Sequence, residues 1–190
     1  MTKKIYGTTG RILKVDLSNG KVWEEHLDEA VLRKYLGGTS LGIKFLHDEV
    51  KPDLDCFSPD NIIYVGSGPL GGTKITGSGS FSVVTKGALT NGVASTQANG
   101  YFGAYLKFSG FDGILIKGTA PKWKYLYIHD GAAELRDAEH LLDRDTWDTE
   151  ERIKNELGYK EKDMSVCSIG PAGENRVRFA GLFTDKGHSA

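Results

Sequence analysis

Residues 62–73 read IIYVGSGPLGGT, and residues 164–175 read MSVCSIGPAGEN. Each is a short apolar run that ends in a Gly-Pro turn. In the first, Gly66, Gly68 and Gly71 fall at G-x-G-x-x-G spacing, the fingerprint of a dinucleotide-binding turn. That fingerprint requires a helix to begin within the glycines and face a pyrophosphate. Here Gly72, Gly77 and Gly79 follow, interleaved with Thr73, Thr76, Ser78 and Ser80, a composition that no helix survives. Pro69 has no N–H to offer a phosphate, and no carboxylate stands some twenty positions on to hold a ribose. The dinucleotide reading fails on its context. The P-loop reading fails as well, because Lys74 follows Thr73 and not a glycine.

Working outward, the same order of signals precedes both stretches. Gly10–Asp16 alternates apolar and polar, Asn19-Gly20 turns, and Lys21–Leu27 returns, which predicts a β-hairpin. Asp28 is placed to cap a helix over Glu29–Leu36, ended by Gly37-Gly38, and Ser40 to cap another through about Glu49. A buried strand over Ile62–Val65 then runs into the turn. In the second half, Lys124–His129 and Ala132–Asp137 flank Asp130-Gly131. Asp145 can cap a helix over Thr146–Leu157, stopped by Gly158, before a strand over Met164–Ile169. Hairpin, helix, strand and Gly-Pro loop therefore occur twice. The reading is an internally duplicated, β-rich α+β fold, a single two-fold domain over residues 1–190. Between the units a strand is predicted at Phe81–Thr85, a helix near Tyr101–Phe108 and a strand at Gly113–Lys117.

Composition narrows the function. With 24 basic and 25 acidic residues the net charge is −1, so no polyanionic partner such as nucleic acid is indicated. No apolar run approaches the roughly 18 residues of a membrane span, and Met1–Tyr6 lacks the apolar stretch of a signal peptide. Cys56 and Cys167 are read as buried reduced thiols, which implies a cytoplasmic protein. The distribution of acid is more informative. Asn61–Phe111 contains no Asp or Glu, and only Lys74, Lys86 and Lys107 are charged there. A buried sheet would exclude charge in the same way. A surface that receives an anion through backbone N–H and hydroxyl groups would also have to exclude carboxylates. Across Gly66–Gly100, 19 residues are Gly, Ser or Thr, which suits a phosphate-bearing cofactor held largely by main chain. Among single residues, His26, His47 and His140 read as structural or surface groups. Glu174 and Asn175 read as turn-stabilising, and Trp147 with Ile153 as core.

At 99–120 the sequence NGYFGAYLKFSGFDGILIKGTA resembles the N-terminal domain of the tungsten-containing aldehyde:ferredoxin oxidoreductase family. The likeness also runs through GRILKVDLSNGKV (10–22), YLGGTSLGIKFL (35–46), FSPDNIIYVGSGPLGGT (57–73), VVTKGALTNG (83–92) and SIGPAGENRVRFAGL (168–182). The resemblance implies an enzyme that oxidises aldehydes to carboxylic acids with water and passes electrons to ferredoxin. Its metal is tungsten, or molybdenum in some relatives, on two pyranopterins whose phosphates share a magnesium ion. A [4Fe–4S] cluster completes the electron path. This domain would be the two-fold base on which the paired pterins rest.

Carried over position by position, the resemblance makes Gly79, Ser80, Gln97, Ala98, Asn99, His188, Ser189 and Ala190 cofactor contacts. Backbone carbonyls of Gln97 and Ala190 would reach magnesium. Family arginines fall on Ser80 and Ser189, and an Ala-Asn-Ser-Gly-type turn on Thr96–Asn99. No catalytic residue is assigned, and neither cysteine matches a cluster ligand. Family enzymes are much longer, so the chain is expected to be a fragment or a short gene product needing a partner, inactive alone. Later domains or a partner subunit, ferredoxin and a homodimer are the implied associations. The serine-for-arginine departures keep two alternatives open: a same-superfamily reductase subunit, such as one acting on an aromatic acyl-CoA, or a non-catalytic scaffold subunit.

Overall fold

The computed structural model describes residues 6–190; Met1–Ile5, most of the segment read above for a leader, lies outside the described residues. β1 (Arg11–Asp16) and β2 (Lys21–His26) form the predicted hairpin. Its turn is closed by the Asp16 carboxylate, which accepts the Ser18 N–H at 3.0 Å, and by Asn19, which accepts the Lys21 N–H at 2.9 Å. Two helices follow, α1 (Glu29–Tyr35) and α2 (Gly38–Glu49), then β3 (Ile62–Gly66), β4 (Phe81–Lys86) and β5 (Val93–Ala98). α3 (Phe102–Phe108) leads into β6 (Gly113–Lys117). These six strands make one mixed sheet in the order β2-β1-β6-β3-β4-β5. β6 is its keystone: it runs parallel to β1 and antiparallel to β3.

Why the apolar run stops at Gly66 is now clear. Tyr64 is fully buried, and its ring lies against Gly66 of its own strand and Gly113 of the neighbouring β6. A Cβ on Gly113 would stand 2.6 Å from the Tyr64 hydroxyl, and one on Gly66 would overlap that hydroxyl outright. The glycine makes room for a tyrosine. α2 closes this face of the sheet, packing Leu41, Phe45 and Leu46 on Ile12, Ile62, Tyr64, Val84 and Leu115. The starts of the two interior strands β1 and β6 are pinned together by Asp112, which is 4% exposed. It pairs with Lys107 and Thr8 and accepts the N–H groups of Thr9 and Gly10, the latter at 2.7 Å. Burial pushes the Asp112 carboxyl up, but the bonds from Lys107, Thr8 and Thr9 outweigh that and hold it below the usual carboxylate range.

The second half keeps the predicted order and pairs differently. β7 (Lys124–His129) and β8 (Ala132–Asp137) form a separate two-stranded ribbon. After a 3-10 turn at Glu139–Leu141 comes α4 (Thr146–Leu157), capped as predicted by Asp145, which accepts from the Trp147 and Asp148 N–H groups at 2.9 and 2.8 Å. β9 (Cys167–Ser168), α5 (Pro171–Glu174), β10 (Phe183–Thr184) and β11 (His188–Ser189) complete the chain, the three strands forming a sheet in the order β11-β10-β9. Strand and Gly-Pro turn are thus followed by a new strand twelve residues beyond the proline in both halves, at Phe81 and at Phe183.

Four expectations are corrected. The strand over Met164–Ile169 shortens to Cys167–Ser168, because only β10 pairs with it. α2 begins at Gly38 and not after Ser40, since the Gly38 N–H finds the Ser67 carbonyl at 3.0 Å. Asp28 stands at the N-cap of α1 but makes no side-chain cap bond. Trp147 is 56% exposed whereas Ile153 is buried. Six residues at about 100° each carry the chain to a different face of the helix, so the pair could not share the core.

Candidate cofactor-binding site

Three segments far apart in sequence meet where β4 begins and β5 ends. In the β4–β5 ladder Phe81 faces Ala98 and Ser82 faces Gln97. One step beyond the last rung, the Ser80 hydroxyl donates to the Asn99 side-chain oxygen at 3.0 Å. The third segment arrives from β11. Ala98 is buried in a cluster with Val65, Phe81 and Val83, and Ala190 packs against that same cluster. The His188 ring lies beside Gly100: a Cβ there would be 3.1 Å from it and 2.5 Å from an Asp185 carboxylate oxygen. Gly79 is under similar constraint, because a Cβ would overlap the Gly100 carbonyl, while its own carbonyl accepts the Gly103 N–H at 2.9 Å. These close backbone approaches explain the glycines here better than any direct role with a ligand does.

Asp185 is the residue that sequence reasoning missed. Its carboxylate accepts the Tyr101 N–H at 2.7 Å and the Ser165 hydroxyl at 2.8 Å, tying the terminal loop to the β5–α3 turn. Both Asp185 and Lys186 have left-handed backbone, φ 48° and 54°. The turn is held from behind by α4: Glu150 accepts the Lys186 N–H at 3.1 Å and forms a buried pair with Lys154 at 2.5 Å. The visible signal was Asp-Lys-Gly directly before His188, because Asp tolerates the left-handed region.

All eight residues assigned from the resemblance therefore fall in these three segments. Gln97 lies on the edge strand, exposed, and Asn99, His188 and Ser189 are exposed as well. Two qualifications are geometric. The Ala98 side chain is committed to the core, leaving its main chain for contacts. The Ala190 carbonyl already accepts the Leu182 N–H at 2.9 Å, so one of its two lone pairs remains for another partner. A neighbouring hydroxyl group, also missed, is Thr39, which donates to Ser82 at 3.1 Å and accepts from Ser95 at 3.3 Å.

The donor set is hydroxyl, amide, imidazole and main chain, and the adjacent Asp185 carboxylate is spent on Tyr101 and Ser165. Such a surface hydrogen-bonds an oxygen-rich or phosphorylated ligand without repelling it, and in that sense the residues fit a phosphorylated pterin. No group of three or more His, Cys, Asp or Glu side chains among the described residues is arranged to hold a metal by itself. His26 and His140 pair with Glu24 and Glu156, Glu174 accepts the Asp143 N–H, and Asn175 donates to the Pro171 carbonyl, all structural roles. Both cysteines are free, and burial, with Asp185 adding, pushes the Cys167 thiol up to about 12. No helix among the described residues is long and apolar enough to cross a membrane.

Fold and site together define a mixed α+β domain that offers neutral hydrogen-bond donors on three converging loops. Residues 12–190 match the family model "aldehyde ferredoxin oxidoreductase, N-terminal domain", and the chain belongs to that family. It is 44% identical to the tungsten-containing aldehyde ferredoxin oxidoreductase of Pyrococcus abyssi over 186 residues, covering 98% of this chain and 30% of the relative. It is 34% identical to the "aliphatic sulfonate oxidoreductase, WOR-like subunit" of Pyrococcus furiosus, covering 98% of this chain and 32% of that one. Among solved structures, the active site complex BamBC of benzoyl coenzyme A reductase, in complex with 1,5-dienoyl-CoA, superposes with a TM-score of 0.92. There the identity is 38%, over 97% of this chain and 28% of the other. The chain thus spans about a third of the length of the proteins it matches.

Proposed function

We propose that this domain seats the paired pterins of a tungsten or molybdenum oxidoreductase that converts aldehydes to carboxylic acids, with ferredoxin as electron acceptor. The observation that carries the reading is the convergence of Gly79–Ser80, Gln97–Asn99 and His188–Ala190 on one surface, beside an Asp185 carboxylate already bonded to Tyr101 and Ser165. When bound, the metal and its pterins supply the redox chemistry. The residues of this chain bind and orient. Ser80, Asn99 and Ser189 offer hydrogen bonds to pterin or phosphate oxygens, and His188 a ring N–H. Backbone carbonyls of Gln97 and Ala190 are the oxygen ligands available to a magnesium ion between the phosphates, a cation that prefers such hard donors. Later domains of the same enzyme, or a partner subunit, would carry the [4Fe–4S] cluster and the substrate pocket, which leaves the domain inactive alone. The cytoplasm, where free thiols persist, is the compartment this reading implies.

The test is elemental and pterin analysis of the full-length protein made anaerobically in a cofactor-competent host. Tungsten or molybdenum with two pterins per metal is the expected result, and metal-free, pterin-free protein overturns the reading. The similarity to a benzoyl coenzyme A reductase complex favours a second reading, a reductase subunit of the same superfamily. Oxidation of short aldehydes with a viologen acceptor separates the two: robust turnover supports the first and rules against the second.

A further inference from the structure

β10 and β11 are two residues each, joined by Asp185-Lys186-Gly187 and closed by the pairing of Thr184 with His188. Strands this short give a hairpin little stability of its own. The turn is also unfavourable locally. Asp185 and Lys186 are both left-handed, a conformation that costs non-glycine residues and persists where the surroundings impose it. Asp185 is held through its own carboxylate by Tyr101 and Ser165. Lys186 is held at both ends by α4 and the loop that follows it. Its N–H donates to Glu150 at 3.1 Å, and its ammonium pairs with Glu151 at 2.8 Å and with Glu161 at 3.5 Å.

Glu150 is 2% exposed on the buried face of α4, one turn before Lys154, which is 4% exposed. Its two oxygens have separate partners: Oε1 takes the Lys154 ammonium at 2.5 Å and Oε2 the Lys186 N–H. Lys154 in turn reaches Glu161, at 3.1 Å to the carbonyl and 3.4 Å to the carboxylate. Burying such a pair costs its desolvation, and apolar residues of similar volume often stabilise a fold as well or better. Stability is therefore a poor explanation for two charges at this position. What an apolar pair could not do is accept the Lys186 N–H, and so fix the turn that leads into His188, Ser189 and Ala190.

We infer that Glu150 and Lys154 are positioning residues of the cofactor site. Lys154 orients Glu150, and Glu150 sets the Lys186 turn so that His188–Ala190 stand beside Gln97–Asn99. The inference rests on the proposed function and adds to it two residues outside the eight candidate contacts.

The test uses the full-length protein, made anaerobically in a cofactor-competent host, and two double variants. Glu150→Leu/Lys154→Met fills the same space with apolar side chains and removes the acceptor. Glu150→Gln/Lys154→Met keeps one acceptor oxygen for the Lys186 N–H. In the first variant, hydrogen exchange over residues 186–190 should quicken about tenfold or more, the effect of losing a bond to a charged acceptor. Pterin bound per protein should fall by about the same factor, because only the ordered fraction binds, and the urea midpoint should not fall. The second variant should bring exchange and pterin content back to within about threefold of wild type. Wild-type pterin content in Glu150→Leu/Lys154→Met overturns the inference, as does an equal loss in both variants. A pterin loss that only tracks a lowered urea midpoint overturns it too, since that is the mark of a purely structural pair. A wild type free of metal and pterin overturns the proposed function instead. Exchange over 186–190 then decides alone whether the pair sets this turn, and unchanged exchange in Glu150→Leu/Lys154→Met refutes that.

Discussion

Replacing Asp185 with Ala should release the terminal loop from the β5–α3 turn while leaving the rest of the fold in place. Two bonds are lost, from the Tyr101 N–H at 2.7 Å and the Ser165 hydroxyl at 2.8 Å. Bonds to a charged acceptor contribute at least about 1.5 kcal/mol each. An alanine held at φ 48° adds roughly 1 kcal/mol of backbone strain. Together about 4 kcal/mol separates the ordered loop from its opened form, which raises the opening equilibrium about a thousandfold. Amide hydrogen exchange by NMR reads this directly at Tyr101, Leu182 and Ala190, whose N–H groups are all bonded within this assembly. Asp185→Asn keeps one acceptor and tolerates the left-handed backbone, so its effect should be smaller, on the order of tenfold. The Leu27 amide, bonded to the Gly10 carbonyl far from the site, serves as the internal control. Unchanged protection of the Tyr101 amide in Asp185→Ala would refute the view that this carboxylate joins the two loops.

Two further outcomes follow from buried groups. Asp112→Ala leaves Lys107 without its buried partner and should cost about 3–5 kcal/mol, read as a lower urea midpoint. Because the folded carboxyl is held low, its contribution is complete above the ordinary Asp pKa and is lost as pH falls through the depressed folded value. Acid should therefore lower the urea midpoint less steeply in Asp112→Asn than in the wild type. The Cys167 thiol, pushed up to about 12, should react with iodoacetamide at pH 8 about a thousandfold more slowly than an ordinary free thiol. Mass spectrometry of the folded protein checks it, and equal labelling of Cys56 and Cys167 would contradict the burial that causes the shift.

What the sequence disclosed was local chemistry, and what it withheld was pairing. Asn19-Gly20 and Asp130-Gly131 announced both hairpins because a two-residue turn of this kind has few other uses. Asp145 announced α4 through its cap. β5 gave no signal, since VASTQA is an exposed edge strand without the alternation that marks a half-buried one. The candidate site was legible only through the resemblance to the family. Its segments lie about 100 residues apart, and no local pattern reveals that Ala98 and Ala190 share one apolar cluster. The acid-free window had two explanations, and the structure divides it between them. Tyr64, Val83 and Val84 exclude charge as core, whereas Ser80, Gln97 and Asn99 lie on or near the surface, where burial does not account for the lack of carboxylates.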